Sequence, residues 1–230
     1  MKTTSPTDAA TETTATRAYE LLRRDILFGT FRPGSRLSID GLRERYKIGP
    51  IPLREALNRL AAELLIKQSD QRGFFVRDVS VTEIRQLGDT RCWVNEIMVR
   101  ESFKNESPEW EKELIVAAHH LFRTPRTPSD STTINPDWEA RHRHFHMVLV
   151  ADCPSEWLQK FNADLFDYTD FYRNQYLSAK PAIARDIHAE HQALFEAALS
   201  RDTAALTEAL NAHVRQTVQT LISVLAASSG

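Results

Sequence analysis

The sequence predicts a mainly α chain in two parts: a three-helix unit closed by a hairpin over residues 14–78, then an all-α bundle of about six helices over residues 79–230. Three observations predict it. Apolar residues recur at helical spacing almost throughout. The one convincing pair of strand-like runs flanks Asp70-Gln71-Arg72-Gly73, and no strand signal of any strength follows Ser80.

The elements follow in order. Residues 1–13 open a stretch rich in Thr, Ala and Ser that carries acids and has no apolar core, so they read as a flexible tail and not as a signal peptide. In RAYELLRRDIL, Ala18, Leu22 and Ile26 share one helical face. Gly29 ends that helix, and Pro33-Gly34 form a turn in which Pro presets φ and Gly accepts a positive one. Ser38 or Asp40 caps a short helix holding Leu42 and Tyr46. After Gly49-Pro50, PLREALNRLAAELLI starts with Pro52 in its first turn; its apolar residues Leu53, Ala56, Leu57, Leu60, Ala61 and Leu64 recur at helical spacing and leave Arg54, Glu55, Asn58 and Arg59 on the outer face. Two short strands complete the unit.

Three short helices and a hairpin make a winged helix-turn-helix, whose third helix enters a DNA major groove N-terminus first. An arginine near that end can fork onto guanine or clamp a phosphate, which singles out Arg54. Charge agrees in sign. Residues 1–78 hold 14 Lys and Arg against 10 Asp and Glu, whereas residues 79–230 hold 15 against 21, so the first part can meet a polyanion and the second cannot do so broadly. Two cysteines, Cys92 and Cys153, fit a reducing cytoplasm, and no run of about 18 apolar residues is present to span a membrane.

The bundle helices are expected over Val81–Phe103, Pro108–Phe122, Asp137–Ala151, Glu156–Leu177, Ile183–Leu199 and Thr203–Ala226. HRHFHMVL puts three histidines into five residues of one of them. His142 and His146 lie one turn apart on the same face and can share an ion; His191 and His213, on the last two helices, can converge on them. His144 points away, His119 and His120 have no spacing argument, and His188 is a reserve ligand. Spacing alone leaves metal binding open.

Resemblance to known families adds to this reading. GTFRPGSRL (Gly29 to Leu37), PLREALNRL (Pro52 to Leu60) and RGFFV (Arg72 to Val76) resemble the DNA-binding domain of the GntR family of bacterial transcription regulators. That resemblance implies that Arg54 contacts DNA and that Arg72 and Gly73 form the wing tip. Two departures stand out: Gly49-Pro50-Ile51-Pro52 replaces the family's usual Ser-Arg-Thr-Pro, and Leu64 stands where a glycine usually closes the third helix.

WEARHRHFH (Trp138 to His146), EHQALFEAALSRD (Glu190 to Asp202) and AHV (Ala212 to Val214) are similar to the ligand-sensing FCD domain of the family's FadR branch. In many members an Asp and three His hold a divalent metal under an effector pocket. Here the resemblance places the histidines at His146, His191 and His213, and the Asp position falls on His142. Four neutral imidazoles leave a divalent site at a formal +2, one more than the usual set, and favour zinc first, with nickel or another transition metal behind it. Imidazoles that only hydrogen-bond an acid are the alternative.

Arg91 sits where the family commonly directs an arginine at the effector, and Arg173 is a second candidate for a carboxylate partner. A salt bridge from Arg91 to Glu96 or another bundle acid would instead make it structural. TRCW (Thr90 to Trp93) and the histidine segment also resemble the carbon-starvation-induced regulator branch, which implies a small dicarboxylate effector. The expectation is a cytoplasmic, homodimeric, metabolite-responsive repressor on a palindromic operator, with no membrane partner. The alternative is a metal-dependent hydrolase on the same histidines, with Glu190 or Asp186 as base.

Overall fold

Thr13 opens the first helix, its hydroxyl accepting the Thr16 amide at 3.1 Å. The computed structural model of the chain describes residues 13–105, 107–128, 134–176 and 185–228, and it divides into two units, residues 1–78 and 79–230. Residues 1–12, most of the expected tail, lie outside the described residues.

In the first unit α1 (Thr14–Leu27) buries Ala18, Leu22 and Ile26 against α3 (Pro50–Ala62), which supplies Leu53, Ala56, Leu57 and Leu60. Between them lies α2 (Ile39–Tyr46), capped by Ser38. One acid ties the layers together. Asp25, buried on α1, accepts from Arg24, from Arg45 at 2.9 Å and from the Tyr46 hydroxyl at 2.8 Å. Burial alone would push its carboxyl up, but these three donors outweigh it and hold the pKa below the ordinary value.

The expected two strands are β2 (Ile66–Ser69) and β3 (Gly73–Val76), but the sheet has a third, β1 (Arg36–Leu37), in the order β1-β3-β2, all antiparallel. Two residues are too short to carry an alternating signal, which is why the sequence reads them as part of a turn. Gly29 and Gly34 take positive φ as the turns require. The question raised by Leu64 has a definite answer: it sits at φ +58°, and the amides of Leu64 and Leu65 reach back to Ala61 and Leu60. The helix therefore ends as a glycine-closed one would, with a strained leucine at the turn.

The second unit contains the six expected helices among the described residues: α4 (Val81–Lys104), α5 (Trp110–Arg123), α6 (Pro136–Val148), α7 (Glu156–Tyr176), α8 (Ile187–Leu199) and α9 (Thr203–Ser228). The expected start of α8 at residue 183 lies outside the described residues; Asp186 caps the helix observed. Trp110, Leu121, Phe145, Leu149 and Leu194 are fully or almost fully buried in one core, each worth about 1.5–3 kcal/mol. The Trp110 indole N–H donates to the Val148 carbonyl at 2.9 Å and fixes the end of α6. α4 and α9 approach closely at Gly88, where a Cβ would stand 2.5 Å from Val218 Cγ2.

Candidate functional site

α6 has the histidine spacing noted above, and its inner face carries Trp138, His142, Phe145 and His146 into the bundle. α8 brings His191 and α9 brings His213 to the same place. One ring nitrogen from each of the four lies within 4.8 Å of all the others. His142, His146 and His191 are buried, and the His213 side chain is only 10% exposed. His144, His119, His120 and His188 are exposed and outside the cluster.

Hydrogen bonds fix two tautomers. His191 Nδ1 lies 2.6 Å from the Ile187 carbonyl, and a carbonyl only accepts, so the proton is on Nδ1 and the Nε2 lone pair is free. His213 Nδ1 lies 2.7 Å from Glu190 Oε2, which leaves its Nε2 free in the same way. His146 Nε2 stands 3.1 Å from His191 Nε2, close to the ~3.3 Å separation of two ligands on one tetrahedral zinc. His146 either donates across this contact or carries its proton on Nδ1, leaving two lone pairs face to face with a cation needed between them. Nδ1 of both His142 and His146 is buried without a hydrogen-bond partner.

The cluster is also kept neutral. Burial, with the mutual repulsion of the imidazoles and nearby arginines, puts the pKa of His142, His146 and His213 well below the ordinary value, and burial brings His191 down to about 4. Neutral, converging imidazoles with held tautomers are a donor set that fits a divalent transition metal.

Two carboxylate–arginine pairs border it, one buried and one partly buried. Glu190 accepts twice from Arg185, which also donates to the Thr217 hydroxyl and the His213 carbonyl. Glu190 therefore serves to orient His213, and Asp186 is occupied as a helix cap, so neither stands free as a hydrolytic base. Arg173, the second effector candidate, is bonded to Glu139 and to Asp170, although its Nε has no partner.

Arg91 is different. It is buried, its Nη1 donates to Thr169 Oγ1 at 3.0 Å, its guanidinium lies 4.0 Å from the Phe166 ring centroid, and its Nε has no partner. Arg91 does not pair with Glu96, which instead accepts from the Asn211 amide, and of the other bundle acids Asp170 acts on it through its charge without forming an ion pair. Burial lowers the Arg91 pKa to about 10, still charged at neutral pH. The Phe166 ring also lies 5.3 Å from the His146 ring, tilted to it, so one aromatic side chain touches both Arg91 and the imidazole cluster. Sequence reasoning missed Arg185, Phe166, Thr169 and Arg126. Arg126 has a buried, unpartnered Nε and lies over the Trp138 ring, 5.5 Å from its centroid, and both line a cavity of about 360 Å³ that also touches His191. Only the Glu190-His191 dyad hinted at the second layer.

In the first unit Arg54 and Gly73 line one groove between α3 and the β2–β3 turn, together with Asn58, Gln68 and Gln71. Arg54 and Arg72 are exposed, and Gly73 takes φ +95° at the turn. Arg72 leans over Phe75, 5.8 Å from its centroid.

Comparison with known proteins agrees with both halves. Residues 14–76 match the profile of the bacterial regulatory proteins of the gntR family, and residues 86–216 match that of the FCD domain. The HTH-type transcriptional regulator BphR of Paraburkholderia xenovorans is 35% identical over 202 residues, 87% of this chain and 82% of that protein. The HTH-type transcriptional repressor GlaR of Escherichia coli is 32% identical over 204 residues, 87% of this chain and 92% of that protein. The solved structure of McbR/YncC from Escherichia coli shares the fold, with a TM-score of 0.73 at 19% identity over 92% of this chain and 98% of that one. No described helix is long and apolar enough to cross a membrane.

Proposed function

Because the chain belongs to the gntR family of bacterial regulatory proteins and carries an FCD domain, we propose that it is a cytoplasmic, homodimeric repressor whose bundle holds a divalent metal and a small carboxylate effector that loosens its grip on a palindromic operator. The observation that carries the reading is a buried Arg91 without a carboxylate partner beside four converging imidazoles.

His142, His146, His191 and His213 would hold the ion, with zinc the first to test. When bound, it would supply positive charge that draws an anion to the site. Arg91 takes the carboxylate in a charge-assisted pair, favoured because the site excludes water. Arg173, its charge already balanced, offers its unpartnered Nε, while Arg185 and Glu190 hold His213 in register. Arg91 lies on α4, which follows β3 after residues 77–80 alone, so a ligand that pulls on Arg91 acts on the helix that carries the DNA-binding unit covalently. The ligand shifts operator binding only by as much as it prefers the released arrangement.

In the first unit Arg54, Arg72 and Gly73 would meet DNA, and affinity should fall steeply with salt. A second copy is supported by two exposed apolar pairs on helices that pack together: Trp93 and Ile97 on α4, Trp157 and Phe161 on α7.

A duplex selected from a random pool and followed by fluorescence anisotropy tests the reading. Binding should be weakened in Arg54→Ala, and in the wild type it should be weakened by members of a panel of small carboxylates when zinc is present. A response to carboxylates that persists in His191→Ala, or none from any carboxylate in the wild type, would overturn the sensor.

A further inference from the structure

The outward stripe of α3 is made of Ile51, Arg54, Glu55, Asn58 and Ala62, opposite buried Leu53, Ala56, Leu57 and Leu60. Scattered exposed aliphatics are ordinary on a protein surface. Ile51 is unusual for its place: it is 78% exposed at the leading end of the recognition helix, one turn ahead of Arg54.

Its surroundings are stripped of the polar groups that usually greet DNA. Gly49, the N-cap, makes no side-chain hydrogen bond. Pro50 and Pro52 have no N–H, so only Ile51 contributes an amide among the first three helical residues, and the helix end is a poor phosphate cradle. Residues 49–52 carry no hydroxyl, amide or cationic side chain. What the tip presents is an aliphatic side chain with a proline on either side, φ fixed at both.

The major groove displays one apolar group, the 5-methyl of thymine, amid hydrogen-bonding edges. We infer that Ile51 is a specificity-determining residue that reads a thymine methyl in each half-site, next to the base or phosphate met by Arg54. The inference rests on α3 lying in the major groove. Removing water from one methyl and from the isoleucine facing it replaces the hydrogen-bond readout that the helix tip lacks, and it rejects cytosine at that position, which has no methyl. Glu55, on the same stripe, repels phosphate and keeps the tip directed at bases.

The test uses full-length protein and a duplex recovered from a random pool, resynthesised with deoxyuridine in place of thymidine one position at a time. This removes a methyl and leaves pairing intact. Wild type should lose about fourfold in affinity at one thymine per half-site, and about fifteenfold when both are changed. Ile51→Ala should bind the thymine and uracil duplexes alike at that position, while Arg54→Ala weakens binding to both. Ile51 is exposed, and the wild-type arm needs no variant at all, so folding does not confound the result. The inference fails if no thymine is methyl-sensitive, or if the sensitivity survives in Ile51→Ala. If instead Arg54→Ala binds as tightly as wild type, the docking of α3 fails, and Ile51 loses its role with it.

Discussion

Replacing Arg91 with methionine separates a sensing arginine from a structural one. Burial brings its pKa down from the ordinary arginine range to about 10, and at about 1.4 kcal/mol per tenfold the fold carries the charge at a cost of about 3 kcal/mol. Against this stand the bond to Thr169, worth about 1.5–3 kcal/mol for a charged donor, and the contact with Phe166, worth about 1–2 kcal/mol. Methionine removes the cost and both gains, and its sulfur keeps about 0.3–1.5 kcal/mol of the ring contact. The net change in stability should lie within about 1 kcal/mol of zero. An arginine taken from a buried ion pair would cost about 3–5 kcal/mol instead, because its carboxylate would be stranded.

Urea unfolding of the two proteins measures the difference. Repeating it with zinc and a carboxylate that releases the wild type from DNA measures the ligand arm: at a concentration 100 times Kd the wild type gains about 2.7 kcal/mol. A tenfold loss of affinity in Arg91→Met cuts that gain by about 1.4 kcal/mol. A variant destabilised by more than about 3 kcal/mol, or one with an undiminished ligand shift, refutes the assignment.

Three further outcomes are expected. Glu190→Gln removes the charge that orients His213 and should weaken zinc binding about 10- to 100-fold in a chelator competition, while Asp186→Asn leaves it unchanged. Asp25 has a folded pKa below its unfolded value, so its stabilisation is present above the ordinary carboxylate range of about 4 and vanishes as pH falls through the folded pKa. Asp25→Asn should therefore destabilise the first unit by about 2 kcal/mol at pH 7 and flatten the acid limb of its stability curve; an equally steep limb would exclude Asp25 as its source. Leu64→Gly relieves about 1–2 kcal/mol of left-handed strain, less about 0.5–1 kcal/mol of glycine entropy, and should stabilise that unit by roughly 0.5–1 kcal/mol, read as a raised denaturation midpoint; a lowered midpoint would show that packing of the half-exposed leucine outweighs its strain.

Periodicity made the helices legible, because Leu53, Ala56, Leu57 and Leu60 can only be buried together on a helix. It made the histidines of α6 legible for the same reason. Their convergence with His191 and His213 was readable only by resemblance, since it depends on how α8 and α9 turn within the bundle. β1 was invisible: two residues have no period. The Arg185–Glu190–His213 chain was invisible too, because a hydrogen bond between separate helices leaves no mark on spacing. The sequence could not say whether Arg91 has a counter-charge. That depends on Glu96, five residues along the same helix, turning toward Asn211.

The distribution of charge in the bundle bears on the effector. Asp167 is bonded to Arg143, Asp170 and Glu139 to Arg173, and Glu190 to Arg185. Each of these acids is thus engaged, whereas Arg91 and Arg126 have no ion-pair partner among the described residues. Burial lowers the pKa of both. The region is positive before any ion arrives, and a divalent ion on four neutral imidazoles adds a formal +2. A monocarboxylate then leaves most of that surplus buried, while a dicarboxylate spends one end on the ion and the other on a free guanidinium. At low dielectric the second contact is worth far more than in water. Succinate, glutarate and longer homologues should therefore release DNA at lower concentration than acetate, propionate or butyrate, with the advantage confined to zinc-loaded protein and abolished by Arg91→Met. Equal potency of the mono- and dicarboxylates would mean that no second cation faces the ligand.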